Sequence, residues 1–204
     1  MTRSIALFAI LAPLALAVLE CFHPHVHDFF ELDLDRWLLV HYLQIPLFLF
    51  AALAMIVVAG SAKGIAVSIV RFAMLVFAIL YIPFDVAAGV VTGELAKAAL
   101  ASGSPEAWRA PIEAIWAHPI LGGSPNTMPV FAIAGTFAWT IGAIAAAFAV
   151  RRAGASWGPV VLLVVSAFGL FVFRTHAWPG GPVSFGALAA AAAWLTWEKS
   201  RKRA

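Results

Sequence analysis

The chain has 204 residues, 63% of them hydrophobic and 11% charged, with a formal net charge of +3 and a mean hydropathy of +0.96. These proportions leave too little polar surface to coat a water-soluble globule, so they exclude a soluble fold and predict an integral membrane protein. The single cysteine, Cys21, excludes an internal disulfide.

A helix that crosses the hydrocarbon core needs about 20 predominantly apolar residues. Six such runs are present, at 4–20, 37–60, 65–92, 126–150, 157–173 and 182–197. They are continuously apolar and lack the period-two alternation of lipid-facing strands, so the predicted fold class is all-α. It is a polytopic membrane helix bundle with six transmembrane helices, one outer interfacial helix and a single domain over 1–204. The first, fifth and sixth runs are short and are expected to stand nearly upright, borrow flanking residues or thin the bilayer locally.

In the first run, Arg3 precedes an apolar stretch ending in Ala15-Leu16-Ala17, which has the small-x-small form of a signal-peptide cleavage site. A retained helix is the preferred reading and a cleaved leader the alternative. The loop that follows reads Glu20-Cys21-Phe22-His23-Pro24-His25-Val26-His27-Asp28. Imidazoles are common metal ligands, and Pro24 favours an extended backbone before it. In such a segment His23, His25 and His27 share one side of the chain, which suits zinc or copper.

In the second run, Trp37, His41 and Gln44 share a helix face by their spacing of three and four residues. In the third, Asp85 places a carboxylate inside an apolar run at a cost of roughly 2.5 to 3.5 kcal/mol even on the lenient insertion scale, so it must face protein or water. Pro83, two residues earlier, removes a backbone hydrogen bond and predicts a bend there. Gly89 and Gly93 then allow close approach of another helix.

Between 93 and 125 a short helix is expected at about 105–117. Pro105 stands at its first turn, and Trp108, Ile112, Ile115 and Trp116 form one apolar stripe. The helix is read as lying on the outer leaflet with its tryptophans at headgroup depth, as packing as a lid over the bundle, or as both. His118-Pro119 follows it, and Arg174-Thr175-His176 follows the fifth run. Arg174 is the nearest obvious counter-charge, so an ion pair between Asp85 and Arg174 is the simplest structural expectation.

Basic residues favour the cytoplasmic side of the membrane. With the N-terminus inside, nine of the thirteen Lys and Arg fall at the cytoplasm: Arg3, Lys63, Arg71, Arg151, Arg152, Lys199, Arg201, Lys202 and Arg203. Arg36, Lys97, Arg109 and Arg174 fall outside with all six histidines and nine of the ten acidic residues. The expected location is therefore a bacterial inner membrane, with both termini cytoplasmic and an acidic, histidine-bearing outer face.

The segments His41-Tyr42-Leu43-Gln44-Ile45-Pro46-Leu47-Phe48 and Phe84-Asp85-Val86-Ala87-Ala88-Gly89-Val90-Val91-Thr92-Gly93, with the outer His-Pro string, resemble uncharacterised multi-pass bacterial membrane proteins. That resemblance implies a membrane bundle and brings no activity with it. Membrane zinc hydrolases of the ceramidase and progestin-receptor type carry His-x-x-x-His on their last helix, and here the last helix has no histidine.

Three functions are compatible with these residues. In the first, His23, His25, His27, His41 and His176 supply ligands to a transition metal, zinc first. Asp85 or Glu20 then acts as general base in hydrolysis of a lipid-like substrate, and Gln44, Arg174 and His118 complete the polar set. In the second, Asp85 and His41 form a proton relay of a transporter. In the third, the chain is an accessory subunit whose outer loop is pH-sensitive or binds haem. Phosphate loops, nucleotide fingerprints and serine-nucleophile motifs are absent, and the basic residues are too dispersed to bind nucleic acid.

Overall fold

The structure is a computed structural model that describes residues 2–60, 64–124, 126–127 and 129–202. Lys63, Arg203 and Pro125, which entered the topology and turn expectations, lie outside the described residues. Among the described residues eight α-helices follow in order: α1 (Arg3–Glu20), α2 (Leu34–Ala59), α3 (Ile65–Asp85), α4 (Thr92–Ala101), α5 (Glu106–Trp116), α6 (Val130–Arg152), α7 (Trp157–Phe173) and α8 (Gly180–Arg201). A π-helical segment, Val86–Val91, joins α3 to α4 without a break. No strand occurs among the described residues.

Local signals account for several boundaries. The Thr2 side chain accepts the Ile5 amide and Asp33 accepts that of Arg36, each relieving an unpaired donor at a helix start. Arg174 ends α7 in the left-handed region at φ 53°. Three residues after Pro83 the helix passes into the π segment, and it then runs on to Ala101 rather than stopping near 92.

Four continuous helices are long and apolar enough to cross a membrane: Arg3–Glu20, Leu34–Ala59, Ile65–Ala101 and Val130–Arg152. The apolar α7 is shorter, at 17 residues. Together with α8, these elements close a ring in which α1 packs on α2 and α8, α2 on α3, α3 on α6, α6 on α7, and α7 on α8. Small residues let the backbones approach, among them the fully buried Ala51, Ala54, Ala143, Ala146 and Ala191. Phe48, Phe77, Trp139 and Phe185 fill the centre, while Leu11, Phe72, Phe148 and Val172 point outward. Large apolar side chains on the outside of a packed bundle are what an acyl-chain solvent calls for.

A second apolar cluster caps one end of the ring. It joins Phe29, Leu34, Trp37, Leu38, Ala96, Ala99 and Ile112, with Trp108 and Trp116 packed against it. The short helix α5 therefore packs as a lid, with Ile112 buried and the remainder half-buried or exposed. Arg109 fastens it, bonding Glu106 within α5 and Asp28 in the α1–α2 loop, and lies 4.7 Å above the Phe30 ring.

Candidate polar site beneath the cap

Under this cap six polar side chains from five parts of the chain meet. Glu20 comes from the last turn of α1, His41 and Gln44 from one face of α2, and Asp85 from the end of α3. His23 and His176 come from the α1–α2 and α7–α8 loops. Glu20 and Gln44 are fully buried, Asp85 is 1% exposed, His41 2% and His176 9%, while His23 is half-buried. The apolar rings of Phe48 and Phe84 and the ring of Tyr81 wall the His176 side.

The hydrogen bonds fix the orientation of two imidazoles. His23 Nδ1 lies 2.7 Å from the Pro24 carbonyl and His41 Nδ1 lies 2.8 Å from the Trp37 carbonyl. A carbonyl can only accept, so each Nδ1 carries the proton and donates it. Each Nε2 is then a bare lone pair. That of His23 is buried and has no hydrogen-bond partner among the described residues.

The third imidazole lies between two carboxylates. His176 Nδ1 is 3.3 Å from Glu20 Oε2, and its Nε2 is 3.7 Å from Asp85 Oδ1. Gln44 Nε2 donates to both Glu20 oxygens at 2.9 Å and lies 3.1 Å from His176 Nδ1. Both Asp85 oxygens are buried without a hydrogen-bond donor among the described residues. The ring centres of His23 lie 4.8 Å from His41 and 4.9 Å from His176, and the latter two are 6.4 Å apart.

Charge follows from these neighbours. Burial, and then the nearby imidazoles of His176 and His41, hold His23 well below the ordinary imidazole pKa, so it is neutral. Burial also opposes a charge on His176, but the carboxylates of Glu20 and Asp85 outweigh it and raise that pKa. His176 is thus held between two buried carboxyl groups.

Several sequence expectations change. His25 and His27 are exposed and do not share a side with His23, because 23–28 is irregular rather than a strand and His23 turns inward through its bond to Pro24. His118 is exposed and accepts the amides of Ile120 and Leu121, which makes it a turn residue. Arg174 is exposed as the α7 cap, and the group facing Asp85 is His176 instead. Glu20, read from sequence as a general base, is engaged by Gln44 and His176. Among the described residues, no three His, Cys, Asp or Glu side chains already stand at metal-ligand spacing.

Sequence reasoning missed the part played by Gly89. A Cβ built there falls 1.7 Å from His41 Cδ2, and its carbonyl accepts the Trp37 indole N–H at 2.7 Å. The small-residue signal at Gly89 was visible, but the partner it admits was not. No known protein family, curated protein or solved structure matches this chain.

Proposed function

We propose that the protein spans a bacterial inner membrane six times, through α1, α2, α3 with its extension, α6, α7 and α8. Both termini are cytoplasmic, and the capped end facing outward binds a transition metal ion, zinc first. The ligand set is His23, His41, His176 and Asp85. The observation that carries this reading is the pair of backbone carbonyls that hold the Nδ1 protons of His23 and His41 and leave both Nε2 atoms bare, in a cluster whose third imidazole, His176, faces Asp85. Metal-ligating histidines are oriented in this way by the hydrogen bond at the other ring nitrogen.

Two further features support it. Asp85 is buried without a hydrogen-bond donor among the described residues, which is costly until a cation or a proton meets it. Rings around a four-coordinate zinc, with metal–nitrogen distances near 2.0–2.1 Å, have centres roughly 5 Å apart. The separations of 4.8 and 4.9 Å from His23 are of that size, and the 6.4 Å between His41 and His176 is wider. Glu20 then orients His176 rather than acting as base. Four protein ligands fill a tetrahedral zinc site, so hydrolysis of a lipid-like substrate, the reaction class the sequence suggests, needs Asp85 to leave its position to water and act as base.

Elemental analysis of the full chain purified in detergent tests the metal, with His23→Ala and His41→Ala as the variants that remove ligands. A proton-handling role is the second reading, favoured by the position of His176 between Glu20 and Asp85. It extends no further inward among the described residues. Toward the basic end the buried polar side chains are Ser166 and Ser184, the latter tied to the Leu170 amide. A haem ligated by His41 requires that ring to leave Trp37, 4.1 Å away, and an absorption spectrum tests it.

A further inference from the structure

At the end of the bundle opposite the histidines, a crevice of about 200 Å³ opens between α2, α6 and α8. Its walls are apolar, from Val58, Val150 and Leu195, and its rim carries Lys199 and Lys202 on one face of the last turn of α8. The carboxylate on this rim, Glu198, is engaged by the hydroxyl and the amide of Ser156 at the N-terminus of α7 and makes no ion pair with Lys199 or Lys202 among the described residues. Lys202 Nζ rests 3.5 Å from the Gly154 carbonyl, a weak contact that leaves its charge uncompensated. The neighbouring cations Arg151 and Arg201 are stacked on Trp157 and Trp197, tryptophans of the kind that mark headgroup depth.

We propose that this crevice binds one anionic phospholipid, its phosphate between Lys199 and Lys202 and the start of an acyl chain against Val58, Val150 and Leu195. An apolar wall below two lysines that make no ion pair among the described residues matches an anionic headgroup with its chain and gives a zwitterionic lipid little advantage. Basic pockets between helices at the cytoplasmic surface recognise lipids by this pairing. The inference is independent of any metal at the other end.

The test is a native mass spectrometry titration of the full chain in detergent with phosphatidylglycerol and with phosphatidylcholine. It compares the wild type, Lys199→Gln/Lys202→Gln, and Arg3→Gln/Arg71→Gln, which removes equal charge from the same end away from the crevice. The wild type and the distant variant are expected to retain one phosphatidylglycerol in preference to phosphatidylcholine. The crevice variant is expected to bind it about 30-fold more weakly, from a factor of about five per lysine. Equal weakening in both variants makes the effect one of general charge and overturns the proposal. So does a wild type that does not discriminate between the two lipids.

Discussion

Gly89 stands directly against the imidazole of His41, so close that a single methyl group on Gly89 would overlap the ring. The π-helical segment carries this glycine past α2, and its carbonyl holds the indole of Trp37, whose own carbonyl in turn holds His41. One glycine thus sets the place of a proposed ligand. Gly89→Ala is expected to cost about 1–3 kcal/mol through overpacking. It should also displace His41, seen as weaker metal retention, while Gly103→Ala, at a φ of +73° in open space, costs stability alone.

The exposed histidines provide a control that separates the structural site from the sequence motif. Since His25 and His27 are solvent-exposed, His25→Ala/His27→Ala should leave metal content and thermal stability unchanged, within about 0.5 kcal/mol for the latter. His23→Ala, two residues from His25, should lower metal content. Elemental analysis of the two variants side by side checks both statements.

The cap is expected to loosen in acid. Asp28 is held below the usual carboxylate range by the Phe30 amide and then by Arg109, and Glu106 is held low by its hydrogen bond from Arg109. A carboxylate whose pKa is depressed on folding stabilises the fold above its unfolded value, near 4, and loses that contribution as pH falls through its folded value. Hydrogen exchange across 106–116, corrected for intrinsic rates, should therefore rise below about pH 4. Arg109→Met should show faster exchange there already at neutral pH.

His176 imposes the opposite dependence. Its pKa is raised in the folded protein, so the stabilisation it gives the metal-free form is complete below the ordinary value of about 6.5 and fades as pH rises through the folded value. Metal binding must displace that proton. Zinc affinity, measured by chelator competition, is expected to fall about tenfold per pH unit below the raised pKa and to level off above it. His176→Ala should abolish the slope along with most of the affinity.

The helices were legible because apolar runs of bilayer length survive any detail of packing, and Asp85, His41 and Gln44 stood out because polar groups are expensive in such runs. Their convergence with Glu20 was not legible. It depends on which helices close the ring, and α1 meets α2 and α8 only in the folded bundle. The loops failed for a local reason. Period-two spacing groups His23, His25 and His27 only on a strand, and a single bond from His23 to Pro24 turned that side chain inward and left the others in solvent. Arg174 was the nearest cation in sequence to pair with Asp85, but its left-handed cap position directs the chain so that His176, two residues on, enters the site instead.

The central claim is that the outer cluster holds a metal through His23, His41, His176 and Asp85, and elemental analysis of the detergent-purified chain tests it most directly. Wild-type protein should carry one zinc, copper or iron per chain, and His23→Ala/His41→Ala should lose it while remaining folded by thermal melt. A metal-free wild type, or a double variant that keeps its metal, would contradict the claim.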